Sequence, residues 1–173
     1  MHGLMAGGVG RVASGKHVRR AELEGVRRVS LAALVMLVVQ YGLGIILNLY
    51  VAVPASDAHA GLMQEIASGP LMLTLHALLG LALIGAALVL LVRAVRLQDR
   101  MIAVLAAAGL TAIGGAFASG DIFVRNGQSG ASLAMALLTG VALLCYIGTL
   151  TQVSTVLRRR SHGSQGQQRW AGP

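Results

Sequence analysis

The stretch PLMLTLHALLGLALIGAALVLLVRAV, residues 70–95, decides the fold. It holds one charged residue, Arg93, and one histidine, His76. A helix rising about 1.5 Å per residue needs about 20 apolar residues to cross a hydrocarbon core about 30 Å thick. The run exceeds that length, and Pro70 suits the first turn of a helix. Arg93 and Arg96 mark the end at which it leaves the lipid.

Three more runs of this kind flank it, at 29–53, 101–118 and 130–156. Outside a closed barrel, a chain in lipid can satisfy its backbone only as helix. The expected fold is therefore an all-α integral membrane four-helix bundle with antiparallel, up-down-up-down spans. Residues 1–28 read as a basic leader, and 54–69 and 119–129 as loops on one side. The turn at 96–100 is short enough to force antiparallel neighbours. The Gln/Ser/Gly-rich tail, 157–173, lacks the apolar surface to pack and is expected to be disordered.

Charge sets the orientation. Thirteen of the fourteen Lys and Arg residues fall in the first, third and fifth polar segments: Arg11, Lys16, Arg19, Arg20, Arg27 and Arg28; Arg93, Arg96 and Arg100; Arg158, Arg159, Arg160 and Arg169. Only Arg125 falls on the opposite side. Basic residues near span ends stay cytoplasmic, so both termini are expected inside, in the cell inner (plasma) membrane. The net charge of +8 would suggest nucleic acid in a soluble protein. With 12% charged residues against about 25% for soluble domains, the basic groups instead read as topology markers facing anionic headgroups. The first run is too long for a signal-peptide core of about 7–15 residues, despite Ala58-His59-Ala60 behind it, and reads as a retained span.

Composition excludes much chemistry. Cys145 is the sole cysteine, so neither an intrachain disulfide nor a cysteine-built metal site can form. Gly7-Gly8-Val9-Gly10 is not followed by the Lys-Ser/Thr of a phosphate loop. His59 shares a loop with Asp57 and Glu65, dispersed ligands for a metal at best. No carboxylate pair or Ser/His/Asp set stands at catalytic spacing. Small residues recur at intervals of four, Ala108, Ala112, Ala116 and Gly120 on the third span and Ser132, Ala136 and Gly140 on the fourth, which suits close helix approach.

His76 carries the functional question, since an ionisable group inside a span is expensive. It lies six residues past Pro70, about 9 Å inside the outer end of its span. Gly80 follows one turn later and is expected to leave flat space beside the imidazole. Gln40, Gly44 and Asn48 share a face of the first span, with Tyr41 beside it. Ser132 and Met135 lie at similar depth on the fourth, and Ser119 and Asp121 at the outer end of the third. Three readings follow. In the first, the chain is a non-enzymatic structural or accessory membrane subunit, with a membrane-protein partner or a second copy of itself, and His76 and Asn48 serve packing. In the second, His76 is an axial ligand of haem b, with Met135 as the second ligand, a known pairing. In the third, the chain is an enzyme or binding protein for a lipid or quinone at the outer leaflet.

The sequence Gln40-Tyr41-Gly42-Leu43-Gly44, Asn48-Leu49-Tyr50-Val51, Pro54 and Leu75-His76-Ala77-Leu78-Leu79-Gly80 resembles one four-helix half of the haem A synthase family, over residues 36–85 and more loosely 130–150. The resemblance implies a haem-ligand role for His76 and places Gln40 and Gly44 in the family's Gln-x-x-x-Gly helix. The chain departs from the pattern in three respects. Met135 stands near the family's second histidine, only one half is present, and the loop lacks cysteines and a catalytic carboxylate. It is closer in kind to small uncharacterised four-span membrane proteins of high-GC bacteria, a resemblance that implies no activity.

Overall fold

A computed structural model describes the backbone of residues 7–50, 71–126 and 129–170, and side chains within 19–47, 49–50, 71–125 and 130–159. Four helices make up this part of the chain: α1 (Gly7–Tyr50), α2 (Leu71–Arg96), α3 (Arg100–Asn126) and α4 (Ser129–Trp170). They contain four stretches long and apolar enough to cross a membrane: Arg19–Leu47, Leu71–Arg96, Arg100–Arg125 and Gly130–Arg159. The described residues contain no strand. The chain is a multi-pass helical membrane protein.

The helices pack in chain order around a ring, α1 on α2, α2 on α3, α3 on α4 and α4 back on α1, while the diagonal pairs scarcely touch. Cross-helix contacts climb one helix as they descend its neighbour. Arg19 meets Leu97, Gly25 meets Arg93, and Gln40 meets His76 and Gly80. Likewise Leu105 meets Gly148, Gly109 meets Tyr146, and Gly120 meets Met135. Both pairs are thus antiparallel. The α2–α3 reversal takes three residues, Leu97–Asp99. Leu97 and Gln98 close the last turn of α2 on the carbonyls of Arg93 and Val95, and Gln98 takes the left-handed conformation at φ 55°. Asp99 then caps α3, its Oδ1 accepting from the amides of Met101 and Ile102 at 3.1 and 3.3 Å.

The inward faces follow steps of three and four residues. On α1 the buried positions are Leu23, Val26, Ser30, Ala33, Leu37 and Leu47, with Gln40 and Gly44 completing the series. On α2 they are Gly80, Leu83, Ala87, Leu90 and Ala94, with His76 one turn before and Leu97 of the turn continuing the series. On α4, Thr139, Ala142, Tyr146, Thr149 and Val153 continue from Met135. This is the repeat of helices packed knob into hole. Leu, Val and Ile on the other faces are exposed, as lipid-facing side chains are.

Several boundaries differ from expectation. The leader and first span form one helix, because the buried series starts at Leu23, ahead of the expected span start at residue 29. The loop expected at 119–129 is helical to Asn126. There the Ser119 hydroxyl donates to the Gly115 carbonyl, and Arg125 pairs with Asp121 at 2.9 Å, local bonds that carry the helix on. The tail expected to be disordered is helical to Trp170. No proline interrupts it before Pro173, and extending an existing helix needs only one more bond per residue. Pro54, Pro70 and residues 51–53 of the expected first span lie outside the described residues.

The small-residue stripes are only half used. Ala112 is buried, but Ala108 and Ala136 are exposed, and a side chain at Gly140 would meet nothing. A strict interval of four rotates about 40° around a helix per step and so drifts off any contact face. The α3–α4 interface, the most extensive, closes on Gly120 of one stripe and on Gly109, Gly115 and Gly148 outside them. A Cβ at Gly115 would sit 3.1 Å from Leu138, and one at Gly109 would sit 3.2 Å from the Tyr146 ring. Lipid supplies no hydrophobic drive between helices, so such close approach supplies the attraction.

Candidate functional site

Two of the polar side chains singled out by the sequence, Gln40 and His76, meet at the α1–α2 contact. Gln40 Nε2 donates to the main-chain carbonyl of His76 at 2.9 Å. Gly80 makes this approach possible. It stands one turn beyond His76, and a Cβ there would lie 3.2 Å from Gln40 Nε2. One turn outward the roles are exchanged, with the His76 ring lying on α1 at Gly44. A Cβ at Gly44 would be 3.4 Å from His76 Cε1. Each helix therefore offers a polar knob and, four residues on, a glycine hole: Gln40 fills the hole at Gly80, and His76 fills the hole at Gly44. Phe117 of α3 closes the junction from a third side, 3.7 Å from the Gly80 Cβ position.

Two polar atoms of this junction are buried without a hydrogen-bond partner, Gln40 Oε1 and His76 Nδ1. They are complementary in kind, since an imidazole N–H can donate to an amide oxygen.

Met135 shares the depth of His76. Gly80 meets Phe117, and Gly120, three residues further along α3, meets Met135 Sδ at 3.4 Å from its Cβ position. Met135 is therefore about one turn outward of Gly80, as His76 is. The two sit on α2 and α4, which face each other across the ring. Each leans on a different neighbour, His76 on α1 and Met135 on α3.

The side chains around His76 do not fit a porphyrin. The flat space expected beside Gly80 is filled by Gln40 and Phe117, and the imidazole is laid against α1 at Gly44. His76 Nδ1 also lacks the acceptor that ordinarily orients a metal-bound imidazole. Among the described residues, no three of His, Cys, Asp and Glu stand close enough to hold a metal ion. Asn48 belongs to α1, but its side chain lies outside the described residues, as do Asp57, His59 and Glu65. Asp121 is engaged by Arg125.

Sequence reading missed one group. Ser30 is fully buried on α1, and its hydroxyl has no partner. Tyr146, fully buried on α4, is in the same condition. The signal for Ser30 is its place between Val26 and Ala33 in the inward series.

No protein family, curated protein or solved structure matches the chain.

Proposed function

We propose that the chain is a structural or accessory subunit of an inner-membrane assembly, with both termini in the cytoplasm and no catalytic machinery of its own. The observation that carries this reading is the Gln40–His76 junction. Gln40 and His76 hold α1 to α2, each seated on a glycine of the other helix. In hydrocarbon such bonds fasten helices that apolar contact alone leaves loosely held. The basic end and the paired Asp121–Arg125 end support the orientation.

The test begins with the chain purified in mild detergent from a haem-supplemented host. A structural subunit is colourless, oxidised or dithionite-reduced, and cross-linking in native membranes captures a membrane partner or a second copy. A Soret band with sharp reduced α and β bands, lost in His76→Ala, would overturn the reading in favour of haem b and the haem A synthase resemblance. Stoichiometric co-purification of a quinone or a single lipid species, lost in His76→Ala with the fold intact, would overturn it in favour of an outer-leaflet binding protein.

A further inference from the structure

The Arg-rich end is not uniformly coated with charge. At one corner, α1 passes the end of α2 and the turn into α3. Arg19 of α1 donates from Nη2 to the Leu97 carbonyl at 3.3 Å, which ties its guanidinium to the turn. Arg93 of α2 lies across α1 at Gly25, where any side chain on α1 would displace its guanidinium. Arg96 stands one turn nearer the end of α2, and Arg100 opens α3 three residues after Leu97. Arg19, Arg93, Arg96 and Arg100 are all exposed.

Few carboxylates oppose them. Asp99 Oδ1 accepts from the α3 amides, and Glu24 is paired with Arg20 at 3.2 Å. Glu22 is the remaining acidic side chain described at this end. One turn deeper into the membrane, Val89 and Val92 precede Arg93 and Arg96 by four residues each and are exposed at 46% and 51%. Guanidinium groups at the end of an exposed aliphatic stripe, one of them tied to the turn, match a phosphate joined to acyl chains. A glycine inside a helix is disfavoured relative to alanine. At position 25 it gives Arg93 its place.

We propose that this corner of α1, the α2 terminus and the α2–α3 turn is a binding seat for the headgroup phosphate of an anionic phospholipid, drawn from the leaflet that meets the Arg-rich end. Basic pockets between spans bind such headgroups, and each cation near the surface strengthens the attraction about fivefold.

The test uses the full chain in nanodiscs of equal parts phosphatidylglycerol and phosphatidylcholine with matched acyl chains, followed by native mass spectrometry of the retained lipid. The unaltered chain should retain phosphatidylglycerol preferentially. Removing two seat cations, Arg93→Gln with Arg96→Gln, should lower that preference by about 25-fold, at about fivefold for each cation. Removing two cations from the same end but away from the corner, Arg27→Gln with Arg159→Gln, should leave it within about twofold. Gly25→Leu keeps every charge, displaces Arg93, and should also lower the preference; it decides the matter if the double variant fails to fold. Equal retention of the two lipids by the unaltered chain would overturn the proposal. Equal loss in both double variants would show diffuse attraction instead of a seat, and complete displacement of the lipid by excess inorganic phosphate would show a site for a free anion.

Discussion

Substituting Gly80 by leucine tests the α1–α2 junction most directly. A Cβ at Gly80 would already stand 3.2 Å from Gln40 Nε2 and 3.7 Å from Phe117 Cδ2, on two different neighbouring helices. The further carbons of leucine have no free direction between them, and overpacking of this kind costs about 1–3 kcal/mol. Gln40 must withdraw, which forfeits its 2.9 Å bond to the His76 carbonyl. Interhelical hydrogen bonds in membranes are worth about 0.6 kcal/mol on average and about 1.7 at most. Against these stands the better helix propensity of leucine, about 1 kcal/mol over glycine. The expected net loss is about 1–4 kcal/mol. Gly85, on the same helix, supplies the control, because a Cβ there meets nothing within 4 Å. Gly85→Leu should therefore be neutral or mildly stabilising. The assay is unfolding in mixed micelles against sodium dodecyl sulfate fraction, followed by circular dichroism. Gln40→Ala should make room for the new side chain, so Gly80→Leu should cost at least about 1 kcal/mol less in that background. If Gly80→Leu and Gly85→Leu unfold together, the knob-and-hole account of the junction is wrong.

Two further outcomes are expected in the same assay. Asp99→Ala removes the acceptor of the Met101 and Ile102 amides and should destabilise by about 1 kcal/mol, with Asp99→Ser recovering most of it. Tyr146→Phe deletes a fully buried hydroxyl that has no partner, so it should be neutral or stabilising by up to about 1 kcal/mol; a loss above about 1 kcal/mol would mean that the hydroxyl makes a bond in the membrane.

The four spans were legible because lipid leaves a chain few choices. Apolar length, the Arg93–Arg100 turn and the sparse charge between them leave little freedom. Helix ends were less legible. Residues 119–126 look like a loop because Ser, Gly, Asp and Asn are turn formers, yet Ser119 and Asp121 spend their side chains on bonds within the helix. The inward series was present in the sequence as steps of three and four, and an interval of four concealed it by selecting Ala108 and Ala136, which face outward. The residues of the junction were found, Gln40, His76, Gly44 and Gly80 among them, but their relation was not. Gly80 looked like room for a ligand. Which side chain fills a glycine depends on the alignment of two helices, and one chain read alone does not contain it.

The paired holes have a consequence for how the spans find their alignment. Two smooth apolar helices can slide past each other in lipid at little cost, since every position offers similar contacts. Here a slip of one heptad in one direction would bring Gln40 opposite Ala87, whose Cβ would obstruct the amide's approach to the backbone. A slip in the other direction would set Gln40 against Leu73 and His76 against Leu37. Either way a polar group would lose its seat in hydrocarbon, at a cost of several kcal/mol. The two glycines thus act as detents, and α1 and α2 click into a single setting along their length.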